Sequence, residues 1–162
     1  MDNHVHFIAV PKNPDSFAKG FGEAHRRYSR MVNLRENWRG YLWQGRFSSY
    51  PLDEKYLYSA MRYVERNSVR AGLVKRAEDY SWSSAKVHVN KEKHFLLDTN
   101  YFTQGIPDWA LYLAKPTQKE LLERFQKHAS TGRPIGGTDF ITMIEDYTGR
   151  SLKKKKPGPK KN

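Results

Sequence analysis

The chain has 162 residues, no cysteine and a formal net charge of +12, with 29 Lys and Arg against 17 Asp and Glu. The absence of cysteine excludes disulfides and thiolate metal sites, and no apolar stretch reaches the roughly 18 residues of a membrane span. The length and the 38% hydrophobic residues are enough for one folded domain plus an appendage. The positive charge predicts a polyanion as partner, nucleic acid first and an acidic membrane surface second, for a cytoplasmic protein.

Residues 4–10 form the first predicted element, a strand. They are rich in β-branched and aromatic residues and end at Pro11, which favours a buried strand over a helix. Successive strand side chains alternate between faces, so His4 and His6 would point the same way and could share a metal ion. On spacing alone, an ordinary strand pair is the commoner reading of two such histidines.

A helix over residues 17–33 is predicted next, followed by a strand or irregular extended segment over residues 41–50 that could pair with residues 4–10. Across both segments arginines alternate with aromatic residues. This mixture is expected where arginines pair with phosphates and unstacked bases lie on aromatic rings. The DNA-binding candidates here are Arg26, Arg27, Arg30, Trp43, Gln44 and Arg46. Gln44 and Arg46 could instead satisfy backbone carbonyls near a bulge at Gly45.

The next helix is predicted from Asp53, a plausible N-cap, to about residue 66. Tyr63 and Asn67 lie four residues apart, close to one helical turn, and therefore share a face. Taken alone, Tyr63 could be a half-buried aromatic residue and Asn67 an ordinary helix C-terminal residue. Glu65 is expected on a solvated helix face.

Beyond residue 74 a short helix is predicted near residue 80, one over residues 121–129 and a last one ending near residue 147, while residues 90–116 show a mixed pattern. The lysine-rich end cannot bury enough apolar area to order alone, so Lys153, Lys154, Lys155 and Lys156 are candidate phosphate contacts. Four further histidines have no partner spacing and are expected at the surface. They are His25, His88, His94 and His128.

Five stretches, in this order, resemble one family. They are DNHVHF (residues 2–7), LWQGRF (42–47), MRYVERNSVRAGLV (61–74), DYSWSS (79–84) and TGRPIG (131–136), the last before a lysine-rich end. The set resembles the single-tyrosine transposases of the IS200/IS605 type, and more closely their REP-associated branch. Any one stretch would be a weak signal, whereas the ordered set is specific.

The resemblance implies an HUH endonuclease that cleaves and rejoins single-stranded or hairpin DNA. By position, His4, His6 and Asn67 would hold Mg²⁺ or Mn²⁺, and Tyr63 would be the nucleophile that forms a 5′-phosphotyrosine. The implied fold is α+β, a ferredoxin-like sheet with packed helices and a helical C-terminal extension. The corresponding boundaries are 1–115 for the transposase-like domain, 116–150 for the extension and 151–162 for a disordered tail.

Two departures from the family pattern affect these expectations. A strand, a helix and another strand usually precede the histidine strand, so an N-terminal part of the domain is expected to be missing. The usual Asn-Pro after the tyrosine helix is Asn67-Ser68 here. A catalytically inactive, truncated or domesticated DNA-binding protein is therefore the alternative, with an RNA-binding protein third. Whether the chain is a monomer or a homodimer stays open at this point.

Overall fold

The computed structural model describes residue 1 and residues 3–98 and 105–152. The chain divides into two compact units. One unit is Ile8–Ser49, and the other comprises Met1–Phe7 together with the described residues from Tyr50 onward. None of the helices in these ranges is long and apolar enough to cross a membrane.

The unit Ile8–Ser49 consists of one long helix and the irregular chain that folds back on it. The helix, α1, spans Ser16–Glu36 and ends at Asn37, whose left-handed backbone lets its N–H bond to the carbonyl of Asn33. Aromatic side chains hold the irregular segment, since the Phe47 ring lies 5.1 Å from that of Phe21 between ring centroids. The predicted helix is confirmed and extends slightly further at both ends.

Tyr63 lies in the middle one of three consecutive helical segments. A 3₁₀ turn, Glu54–Tyr56, leads into α2, Leu57–Glu65, and α3 follows as Asn67–Arg70. Asp53 begins the 3₁₀ turn as predicted, because its carboxylate accepts from the Lys55 N–H and, 3.2 Å away, from the Gly137 N–H. The bond from Gly137 joins the start of the tyrosine helix to the C-terminal part of the unit.

Four further helices of this unit lie in the described residues. They are α4 (Ala85–Asn90), preceded by a 3₁₀ turn at Ala77–Asp79, α5 (Trp109–Ala114), α6 (Lys119–Thr131) and α7 (Thr138–Thr148). The core contains Phe125 and Ile135, both fully buried. Ile135 forms a parallel bridge with Leu52, so the segment before α7 packs against the segment before α2.

The predicted ferredoxin-like sheet is wrong. In residues 3–98 and 105–152 the structure has helices, turns and the single bridge, and no strand. Residues 4–10 and 41–50 do not pair, although their composition favours strands. Val5, Phe7 and Val10 are more than half exposed, so the buried layer that would support a strand is missing. The fold of the described chain is helical.

Candidate active site

The site is built around Tyr63, in the last turn of α2. Only 7% of this residue is exposed, and its ring packs against Phe125, at 5.2 Å between centroids, and against His6, at 5.6 Å. Phe125 lies on α6, which fixes one side of the phenol with a fully buried neighbour. The fold therefore holds the Tyr63 ring in a defined position beside a histidine from the chain start.

The two histidines of the chain start lie together. The His4 and His6 rings meet edge to face with their centroids 4.9 Å apart. His4 is exposed and His6 half-buried. The backbone here is irregular, so the two rings approach each other without the strand that was expected to align them.

His4 is oriented by hydrogen bonds to two asparagines. Its Nδ1 lies 2.6 Å from Oδ1 of Asn3, which can only accept, and its Nε2 lies 3.3 Å from Nδ2 of Asn67, which can only donate. In the neutral ring, Nδ1–H therefore donates to Asn3 and Nε2 accepts from Asn67. This tautomer has its lone pair on Nε2, and a metal ion bound at that atom requires that lone pair.

His6 has a different environment. Its Nε2 is buried and has no hydrogen-bond partner in the described part of the chain. Burial, together with the positive charges that His4 and Arg70 can carry, lowers the pKa of His6 from 6.5 to about 4. The ring is therefore neutral at pH 7, and a neutral imidazole with an unused nitrogen is chemically suited to bind a metal ion.

Asn67 is the first residue of α3 and is buried. Its Nδ2 faces His4, and its Oδ1 accepts a short hydrogen bond from Nη2 of Arg70. The three residues predicted to hold the metal, His4, His6 and Asn67, thus form one cluster with Tyr63. In the described ranges no group of three or more His, Asp or Glu side chains is placed to hold a metal.

Arg70 is a member of this cluster that the sequence did not single out. Its guanidinium carbon lies 4.4 Å from the centroid of the Tyr63 ring, and the residue is exposed. The signal was its spacing, since Arg70 follows Tyr63 by two helical turns and Asn67 by one. The contact is a cation–π interaction, which holds the guanidinium over the face of the Tyr63 ring.

Tyr50 is a second phenol near Tyr63. Burial, and secondarily the repulsion that a charged Tyr63 would exert, raises the pKa of Tyr50 above its ordinary value of 10.0. Tyr50 therefore stays protonated more firmly than a free tyrosine.

A second polar cluster lies on the other side of α2, where the expectations for Glu65 and His88 are wrong. Both are buried, at 2% and 6% exposure. The Glu65 carboxylate accepts from His88 Nδ1 at 2.6 Å, from Trp109 Nε1 at 2.6 Å and from the Ser84 hydroxyl. We call these four residues the Glu65 network. It joins α2 to α4 and α5, and so fixes the helix that carries Tyr63.

Three of the arginines predicted to contact DNA, Arg26, Arg27 and Arg30, lie on α1, in the other unit. Arg26 and Arg27 are exposed, and both bind the Glu23 carboxylate, at 2.7 and 2.6 Å. Hydrogen bonds from Arg26 and then Arg27 lower the pKa of Glu23 to about 2. Two of the predicted cations are therefore already paired with a carboxylate. Arg30 is exposed on the same helix.

The remaining candidates of that unit are in the irregular segment. Trp43 stacks on His25 at 4.1 Å between centroids with the rings nearly parallel, while Gln44 and Arg46 are exposed. The ring of Trp43 is thus in use within the unit rather than open on both faces. Lys153, Lys154, Lys155 and Lys156 lie outside the described residues.

Comparisons of the chain with protein-family models, with curated proteins and with solved structures found no match. The resemblance to tyrosine transposases therefore stays a prediction.

Proposed function

We propose that the protein is a DNA endonuclease and strand transferase in which Tyr63 attacks single-stranded or hairpin DNA. The observation that carries the proposal is the clustering of His4, His6 and Asn67 around Tyr63, although about sixty residues separate the histidines from the tyrosine. Four residues chosen from the sequence for one reaction lie together in a fold that differs from the expected one.

The reaction has a simple balance. The Tyr63 oxygen would form a bond to phosphorus while the bond from phosphorus to the 3′ oxygen breaks, which leaves a 5′-phosphotyrosine and a free 3′-hydroxyl. The phenol proton goes to solvent, and the departing 3′ oxygen takes up a proton. A second 3′-hydroxyl can reverse the step and join a new strand, because the phosphoester to tyrosine conserves the bond energy.

The residues fit a divalent ion in part. His6 offers a neutral nitrogen, its buried Nε2, which has no other partner within the described ranges, whereas Nε2 of His4 already accepts from Asn67. The Asn67 oxygen is held by Arg70, so this interaction would have to open for Asn67 to bind the metal. A bound Mg²⁺ or Mn²⁺ would act as a Lewis acid on the phosphate. His4 and His6 would hold it, and Tyr63 would supply the nucleophile.

The experiment that tests the proposal is adduct formation with a labelled DNA hairpin carrying single-stranded flanks. We expect wild type with Mn²⁺ to give a covalent protein–DNA adduct that survives denaturation, and Tyr63→Phe to give none. Tyr50→Phe is the matched control, because it removes a neighbouring phenol that the reaction does not use. Chelating the metal should abolish the adduct while DNA binding persists.

The alternative is a DNA-binding protein without catalysis. Two observations favour it, the burial of Tyr63 and the engagement of the Asn67 oxygen by Arg70. It predicts equal hairpin binding by wild type and Tyr63→Phe with no adduct from either. Competition between DNA and RNA hairpins of equal length separates both readings from an RNA-binding protein.

A further inference from the structure

Of the side chains around Tyr63, Arg70 is the one suited to bind an anionic ligand. Its guanidinium lies over the Tyr63 ring and donates one hydrogen bond to Asn67. Guanidinium carries five N–H donors in a fixed plane, so the bond to Asn67 leaves others available. The side chain is held at the site by these two contacts and is still reached by solvent.

Arg70 also lacks the carboxylate partner that four other arginines have. Arg26, Arg27, Arg35 and Arg76 each bind a glutamate, whereas in the described residues no carboxylate lies within ion-pair distance of Arg70. The groups around it are an amide, a phenol ring and imidazoles. A fixed guanidinium without a counter-charge attracts an anion, and phosphate matches its paired donors.

We propose that Arg70 is a phosphate-binding residue that holds a DNA phosphodiester beside the Tyr63 hydroxyl. The inference deepens the proposed function and rests on it for the identity of the phosphate. Arg70 would donate to the non-bridging oxygens, where negative charge accumulates as Tyr63 attacks. The Tyr63 ring, over which the guanidinium lies, is its positioning group.

The first test is the rate of adduct formation at saturating DNA. We expect Arg70→Gln to lower this rate about 100-fold, as removal of one donor to a developing oxyanion commonly does. Arg70→Lys should recover part of the loss, because it keeps the charge but not the paired donors. Arg76→Gln removes the same charge from an arginine paired with Glu78 and should change the rate less than about 2-fold. Equal rates for Arg70→Gln and Arg76→Gln would overturn the inference.

The second test does not need catalysis. Inorganic phosphate is titrated into the Tyr63→Phe protein while the Nε–H resonances of the arginine side chains are followed by NMR, with Arg70 identified by its loss in Arg70→Lys. We expect the Arg70 resonance to shift with saturation and that of Arg76 to stay nearly constant. If Arg70 and Arg76 respond alike, Arg70 is not a phosphate site.

The two failures are distinguishable. Absence of an adduct with wild type rejects the proposed function, and saturable phosphate binding at Arg70 would then still support the anion site. An adduct whose rate ignores Arg70 keeps the proposed function and rejects the role of Arg70.

Discussion

The Glu65 network and the cluster around Tyr63 both involve side chains of α2. They differ in whether their buried polar atoms have hydrogen-bond partners. In the Glu65 network one buried carboxylate receives three donors, and each of those donors is used. In the tyrosine cluster, the buried Nε2 of His6 has no partner in the described chain. Folding alone explains a satisfied network, whereas an unsatisfied nitrogen costs free energy that a ligand could recover. The described residues hold three other buried side-chain atoms without a partner, at Trp43, Arg62 and Ser68, and the one at His6 lies beside Tyr63.

Replacing His6 should produce the largest effect on activity. His6→Gln removes a candidate metal ligand, and we expect the rate of adduct formation to fall more than about 100-fold, since even supporting groups of metal sites cost 10–100-fold. Thermal stability should change little, because the Nε2 atom makes no hydrogen bond within the described residues. Rates and melting temperatures of wild type, His6→Gln and His94→Gln, an exposed histidine, provide the check. A stability loss without a rate loss would mean that the tyrosine cluster is structural.

Replacing Glu65 should have the opposite effect, a loss of stability rather than a loss of function at the tyrosine cluster. Glu65→Ala leaves the donors of His88, Trp109 and Ser84 buried without an acceptor, and we expect the free energy of unfolding to fall by about 3 kcal/mol. Urea denaturation measures this loss, with the exposed Glu123→Ala as control. At a temperature where the variant is folded, phosphate binding at Arg70 should persist. A change below about 0.5 kcal/mol would show that the network contributes little.

A smaller effect is expected at Asp53, and it depends on pH. The hydrogen bond from Gly137 lowers the pKa of the Asp53 carboxyl below its ordinary value of 3.8. The folded state therefore favours the charged form, whose contribution to stability is present above pH 3.8 and is lost as pH falls through the lower folded pKa. Asp53→Asn keeps an oxygen acceptor and removes the charge.

We expect Asp53→Asn to melt a few degrees below wild type at pH 7, with the difference shrinking below about pH 4. Melting curves at several pH values, with Asp15→Asn as the exposed control, measure it. A difference that is constant down to pH 2 would contradict the role of the Asp53 charge.

Local sequence patterns predicted α1, α2 and the Asp53 cap, because helices and caps depend on residues within a few positions of each other. The strands were predicted wrongly for the complementary reason. A strand needs a neighbour to satisfy its N–H and C=O groups, and nothing in residues 4–10 reports whether one is present. Composition favoured the strand, and the missing pairing decided against it.

The same limit explains why the burial of Glu65 and His88 was not predicted. A carboxylate is rarely buried without partners, so the pattern indicated a solvated face. Its three partners lie 19, 23 and 44 residues away in the sequence, and no local spacing reveals them. The grouping of His4, His6, Tyr63 and Asn67 was anticipated only through the family resemblance. Arg70 shares a helical face with two of them and was accessible from spacing alone.

The bond between Asp53 and Gly137 joins residues 84 positions apart, and the fully buried Ile135 lies beside it. On a ribosome, α2 therefore emerges long before the segment that closes over its beginning. Phe125, which packs on Tyr63, is also made late. The nascent tyrosine helix stays incomplete until that distant stretch has left the exit tunnel, so any chemistry of Tyr63 is delayed until synthesis has passed Gly137.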